Sequence, residues 1–125
     1  MRLEILKSAL YNSWSADTCY PSYRKVWSPE KPNEHQCAVT ALVVCHLLGG
    51  EILERKHKSG RAFYNRLPDG TTIDLSDQNC HEADGPERPR DPQELLRGHT
   101  KVRFKKLLDN LQQTLPPGID LSSPV

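Results

Sequence analysis

The sequence predicts an α+β domain in which a central helix packs on a small antiparallel sheet, with flanking N- and C-terminal helices. Three observations predict this fold class. Residues 37–48 are apolar on nearly every side, which is typical of a helix in the middle of a domain. Asp69-Gly70 is a strong hairpin signal between two strand-like segments. Both ends of the chain carry apolar residues at helical spacing, and 125 residues suffice for one compact domain, residues 1–125.

The first predicted element is an amphipathic helix over residues 2–13. Its apolar positions are Leu3, Leu6, Leu10 and Trp14. Prolines and aromatic residues in 19–36 indicate an ordered loop that packs on the body of the protein. The central helix follows over residues 37–48. Gly49 is expected to end it, because glycine tolerates the left-handed conformation of a C-cap.

Three strands are predicted next, over Glu51–Lys56, Arg61–Leu67 and Thr71–Leu75. If Asp69-Gly70 is a two-residue turn, Asn65 lies directly opposite Asp74 on one face of the hairpin. This polar pair has two interpretations, a functional site or a hydrogen-bonded structural pair.

The C-terminal third is predicted to begin with a polar, proline-containing loop over residues 77–92 and a short helical piece around Gln93–Arg97. A last helix starts near Thr100, with one apolar stripe of Phe104, Leu107, Leu108, Leu111 and Leu115. The basic residues of this helix are expected on its solvated face, and they are Lys101, Arg103, Lys105 and Lys106.

The overall charge argues against nucleic-acid or membrane partners. Seventeen basic and sixteen acidic residues give a net charge of +1, which attracts no polyanion over long range. The longest apolar run, Ala41 to Leu48, is far too short to span a bilayer. Charges within the N-terminal pattern exclude a secretory signal, so we expect a cytoplasmic protein with four reduced cysteines.

Cys37 is the residue whose position most strongly suggests chemistry. It opens the apolar helix, where unpaired N–H groups and the helix dipole favour a thiolate. Thiol hydrolases use a cysteine so placed as their nucleophile. The alternative is a small buried residue at the start of a core helix, since free cysteine is often fully buried.

A nucleophilic cysteine needs a base and a group that orients that base. Asp74 is the candidate orienting acid, because acids are disfavoured between apolar strand residues. His57 could swing in as the base from the loop before the second strand, and His35 is close in sequence to Cys37. A zinc site formed by Cys19, Cys80 and His81 is a weaker hypothesis, because closely spaced ligand pairs are missing.

Five blocks of the sequence follow one another in order: Trp27-Ser28-Pro29-Glu30-Lys31-Pro32, Gln36-Cys37-Ala38-Val39-Thr40-Ala41-Leu42-Val43-Val44, Gly49-Gly50-Glu51-Ile52-Leu53, Phe63-Tyr64-Asn65-Arg66-Leu67 and Ile73-Asp74-Leu75-Ser76. In this order they resemble the YunG-like family of small bacterial proteins. The resemblance runs from about Trp14 to Gln78, roughly half of the chain.

The resemblance implies a papain-like core in which a cysteine opens the central helix, a histidine opens a strand and an acid follows on the next strand. By that correspondence Cys37 is the nucleophile and Asp74 the acid, and Ala62 occupies the place of the histidine. The catalytic residues we predict are Cys37, Asp74, Asn65 and His57. Gln36, Trp27 and Tyr64 lie in the stretches that carry the resemblance and are predicted to bind substrate.

Two functions from different classes follow. The first is a thiol-dependent hydrolase or acyl-transfer enzyme, which acts without a cofactor or metal on a peptide or small-molecule substrate. The second is a catalytically degenerate module that keeps the cleft and binds a protein or peptide partner. Ala62 favours the second function, because general-base assistance contributes about a hundred- to ten-thousand-fold in rate.

Overall fold

A computed structural model describes residues 2–57 and 60–118, with the side chain of His57 outside the description. Within these residues the helices and strands follow one another as α1 Leu3–Tyr11, α2 Cys37–Leu48, β1 Glu51–His57, β2 Gly60–Arg66, β3 Thr72–Ile73, β4 Arg88–Arg90, α3 Pro92–Leu95 and α4 Gly98–Thr114. Two single 3-10 turns, Pro21–Tyr23 and Cys80–Glu82, lie in the connections. The predicted α+β class is confirmed.

The sheet is antiparallel, with the strand order β3-β2-β1-β4. Its fourth strand, β4, lies in the segment predicted as a loop, so the prediction of three strands is wrong. Ion pairing explains how so polar a segment joins the sheet. Arg90 pairs with the buried carboxylate of Glu54 on the neighbouring strand β1 and neutralises it.

The hairpin of β2 and β3 has a different register from the one predicted. Asn65 lies opposite Ile73, so the predicted pairing of Asn65 with Asp74 is wrong. The connection is one residue longer, because the backbone N–H of Leu67 already bonds the carbonyl of Thr71. Gly70 takes a positive φ of 90° at the end of this three-residue loop. A slip of one residue turns each side chain to the opposite face of the sheet.

Helix α2 is covered on two sides, as its all-round apolar sequence predicts. On one side it packs with α1 and α4 in a core whose buried members include Leu6, Leu10, Val43, Leu47, Leu107 and Leu111. On the other side Ala41 and Leu42 pack against Ile52 and Phe63 of the sheet. Gly49 ends the helix with a φ of 78°. Within residues 2–57 and 60–118, no helix combines the length and apolar character needed to cross a membrane.

Buried polar contacts attach the loop after α1 to the helices. Gln36 accepts a hydrogen bond from the Thr18 hydroxyl at 2.9 Å and donates one to the carbonyl of Ser15 at 3.1 Å. From α4, Arg103 Nε donates to the carbonyl of Thr18 at 3.0 Å. These bonds satisfy polar groups that water cannot reach, so the loop is fixed in place.

Candidate functional site around Cys37

Cys37 is the first residue of α2, where backbone N–H groups have no partners within the helix. The preceding residue, Gln36, makes no side-chain hydrogen bond to this helix end. Cys37 is partly exposed and lies on the wall of a groove of about 850 Å³. The groove lies between the start of α2, the start of β2, residues 78–83 and α4. Cys37 is therefore accessible from the groove.

Hydrogen-bond donors around Cys37 stabilise a negative charge on its sulfur. A hydrogen bond with the thiol of Cys80 is the largest influence on the pKa of Cys37, and the backbone N–H of Phe63 donates a further bond. Burial and the nearby carboxylate of Asp74 act in the opposite direction, because both disfavour the thiolate. The balance lowers the pKa of Cys37 from its ordinary 9.0 to about 7. About half of the molecules then carry the thiolate at neutral pH.

Cys80 is the protonated partner of this thiolate. It begins the turn Cys80–Glu82, is buried, and donates its backbone N–H to Oδ2 of Asp74 at 2.8 Å. The hydrogen bond with Cys37, together with burial and the Asp74 carboxylate, raises the pKa of Cys80. Cys37 therefore ionises first, and the Cys80 thiol keeps its proton to donate.

Asp74 organises the segment that carries Cys80. Its Oδ1 accepts hydrogen bonds from the backbone N–H of Ser76 at 3.0 Å and from the Ser76 hydroxyl at 2.5 Å. Asn65 does not join this group, because its amide donates to the carbonyl of Ala41 in α2 at 2.9 Å. Asn65 therefore ties the sheet to the helix away from the groove.

The position at which the resemblance implies a histidine is held by Ala62. Ala62 lines the groove and packs with the buried Leu53, Tyr64 and Cys80, and Cys37 contacts the same cluster. The thiol that packs beside Cys37 in this cluster belongs to Cys80. Cys80 consequently lies between the acid, Asp74, and the candidate nucleophile, Cys37.

The described histidines have other contacts. His35 lines the groove, but its ring stacks on Tyr23 with the ring centroids 3.6 Å apart. The side chain of His57, predicted as the base, lies outside the described residues. Among the described side chains, no histidine is one of the groups that most strongly influence the pKa of Cys37.

The three residues predicted to bind substrate do not line the groove. Gln36 is fully buried and bonded to the loop after α1, as described above. Trp27 donates its ring N–H to the carbonyl of Pro32 at 3.1 Å. Tyr64 is buried, and its hydroxyl donates to Glu87 at 2.5 Å. All three side chains make hydrogen bonds that hold the fold together.

Arg103 is a groove residue that the sequence interpretation missed. It was expected on the solvated face of the last helix, and this expectation is wrong, because only 1% of the residue is exposed. Its guanidinium lies 5.6 Å from the ring centre of Tyr20. No ion pair with a carboxylate is found for it within the described residues, and it interacts electrostatically with Cys37. A buried arginine without a carboxylate partner marks a candidate binding site, and the sequence alone could not show that Arg103 is buried.

The other two cysteines lie in less reactive surroundings. Burial raises the pKa of Cys19, whose thiol donates to the carbonyl of Ala16 at 3.2 Å. Burial also raises the pKa of Cys45, near the opposite end of α2. Across the described ranges, no group of three or more His, Cys, Asp or Glu side chains is arranged to hold a metal ion.

The fold and this site define a small α+β protein with an ionisable cysteine at the head of a central helix, open to a groove. The family model described as YunG protein matches residues 2–116. The chain therefore belongs to the YunG family, and the match includes the C-terminal helix α4. No curated protein and no solved structure matches the chain.

Proposed function

We propose that this protein is a thiol-dependent acyl-transfer enzyme or hydrolase in which Cys37 is the nucleophile. The observation that carries the proposal is the position of Cys37, which lies partly exposed at the start of α2 on the wall of an open groove, where its pKa is lowered to about 7. A thiolate is the reactive form of cysteine, and a pKa near the working pH combines a large thiolate fraction with good nucleophilicity.

The reaction begins when the Cys37 sulfur attacks the carbonyl carbon of an acyl group in the groove. The carbonyl oxygen becomes an oxyanion, and the N–H groups of the first turn of α2, which the Gln36 side chain leaves uncapped, are the donors that would stabilise it. The bond to the leaving group then breaks, which leaves an acyl group on Cys37. Water, or a second nucleophile, takes the acyl group in the next step and releases the thiolate.

The substrate class follows from the acid that the site supplies. An amine leaving group must be protonated, and this usually requires a histidine. Here the partner of Cys37 is Cys80, whose raised pKa makes it a weak acid. A thiolate leaves without prior protonation, so the favoured substrates are thioesters or similarly activated esters rather than amides.

The papain-like core implied by the resemblance belongs to the same proposal. Cys37 at the head of a helix, Ala62 on the adjacent strand and Asp74 after the next strand follow its order. Cys80 then replaces the histidine between acid and nucleophile. This replacement also favours the second candidate, a degenerate module whose groove binds a protein or peptide.

A single-turnover experiment separates the two functions. The protein is mixed with a small aromatic thioester at pH 7.5, and acyl-protein and released thiol are followed by intact mass and absorbance. We expect an acyl group on Cys37, followed by turnover. Cys37→Ala should form no adduct there, and Cys45→Ala should behave as the wild type. If the wild-type protein is folded but is not acylated, the enzyme hypothesis is rejected and the binding-module hypothesis remains.

A further inference from the structure

The packing of Cys37 and Cys80 side by side at the start of α2 has a chemical consequence beyond acyl transfer. Cys37 and Cys80 are both free thiols and line the same groove. They come from parts of the chain far apart in sequence and pack against one apolar cluster of Leu53, Ala62 and Tyr64. The two side chains therefore lie together at one wall of the groove, and a disulfide requires such an approach, with Cα atoms within about 7 Å of each other.

The two thiols differ in the way that a redox-active pair requires. The attacking sulfur must be a thiolate and accessible, and Cys37 meets both conditions. The second sulfur must be near and must not react first. Cys80 is 5% exposed and stays protonated beside the thiolate, so it meets these conditions.

We propose that Cys37 and Cys80 are a redox-active pair that reduces a hydroperoxide and closes as an intramolecular disulfide. This activity does not depend on the proposed acyl transfer, because it needs no acyl substrate.

The first step oxidises Cys37. Its thiolate attacks the outer oxygen of the hydroperoxide, the O–O bond breaks, and an alcohol leaves with a proton from solvent. Cys37 becomes a sulfenic acid, having lost two electrons to the peroxide.

The second step closes the pair. The Cys80 sulfur attacks the Cys37 sulfur, the S–O bond breaks, and the departing hydroxide takes the Cys80 proton and leaves as water. A small dithiol restores both thiols by exchange, and the dithiol is itself oxidised to a disulfide. The proximity of Cys80 protects Cys37, because a sulfenic acid without a neighbouring thiol is oxidised further to sulfinic acid.

Neither of the other two cysteines is a comparable partner. Cys45 lies near the opposite end of α2 and contacts the carbonyl of Gly50 at 3.6 Å. Cys19 is fully buried and contacts backbone carbonyls. Both provide matched controls, since each carries the same functional group in the same chain.

The test treats the full chain with one equivalent of hydrogen peroxide at pH 7 and maps its disulfides by mass spectrometry without reduction. We expect a loss of two hydrogen atoms per chain, with the bridge located between Cys37 and Cys80. Excess dithiothreitol should restore the original mass. Cys19→Ser and Cys45→Ser should give the same bridge at the same rate.

Cys80→Ser tests the protective role. In this variant we expect dimedone to trap Cys37 as its sulfenic acid, and excess peroxide to produce sulfinic acid at least tenfold faster than in the wild type. The wild-type map remains decisive even if a variant misfolds. A wild-type chain that accumulates dimedone-reactive Cys37, bridges Cys19 or Cys45 instead, or resists peroxide altogether would overturn the proposal. Loss of acylation alone would overturn only the proposed function.

Discussion

Replacing Cys80 by alanine removes the strongest influence that keeps Cys37 ionised. The remaining influences can be ordered from the structure. Burial outweighs the hydrogen bond from Phe63, and Asp74 outweighs the remaining backbone donor. Without the Cys80 thiol, the groups that raise the pKa of Cys37 therefore prevail. We expect the pKa of Cys37 to return to its ordinary 9.0 or to rise above it.

The effect on reactivity is smaller than the effect on ionisation. A pKa of 9.0 in place of about 7 reduces the thiolate fraction at pH 7 from about one half to about 1%. A thiolate of higher pKa is also more nucleophilic, which recovers about eightfold of the loss. The net expectation is alkylation about sixfold slower at pH 7, and the pH of half-maximal rate moves upward by about two.

The assay is the rate of iodoacetamide labelling at Cys37, measured by peptide mass spectrometry between pH 5.5 and pH 10. Cys80→Ser is the matched variant, since its hydroxyl keeps a hydrogen-bond donor in place and should give an intermediate pKa. Cys45→Ala controls for the loss of a thiol elsewhere in the chain. If the Cys80→Ala protein is folded and its labelling midpoint stays near pH 7, then Cys80 does not stabilise the thiolate and our account of the site is wrong.

Three further predictions concern the site and the fold. Asp74→Asn should move the labelling midpoint of Cys37 downward, because the Asp74 charge raises the pKa of Cys37; an upward shift would contradict this sign. Leu107→Ala should reduce the free energy of unfolding by about 2–5 kcal/mol in urea titrations, since Leu107 is fully buried. The exposed Lys106→Ala should change it by less than about 0.5 kcal/mol. Gly50→Ala should lower the melting temperature, because its new Cβ would lie 2.3 Å from a backbone oxygen at a φ of 85°; an unchanged melting temperature would refute that clash.

The central helix was predictable because its signal is local and strong. Residues 37–48 are apolar on nearly every side and are followed by glycine, and the helix found is Cys37–Leu48. The hairpin register was harder to predict. Asp69-Gly70 indicates a turn but does not distinguish a loop of two residues from one of three, and this one residue decided whether Asn65 faced Asp74.

The partners of Cys37 could not be derived from spacing or periodicity. Cys80 lies in a polar segment without regular periodicity, and Asp74 brings it to the site through hydrogen bonds that only the folded chain makes. Arg103 was misplaced for a related reason. Charged residues on a helix usually face water, and the buried carbonyl of Thr18 that attracts this one comes from the other end of the chain.

Strand β4 affects how the sheet meets other molecules. A long, flat outer strand offers unpaired backbone groups to neighbouring chains and so promotes aggregation. Here the edge strand next to β1 is β4, which has only three residues, Arg88–Arg90. The middle one, Pro89, has no N–H to donate, and the exposed Arg88 repels the same edge of another copy. The β4 edge of the sheet therefore disfavours strand-by-strand polymerisation when the protein is concentrated.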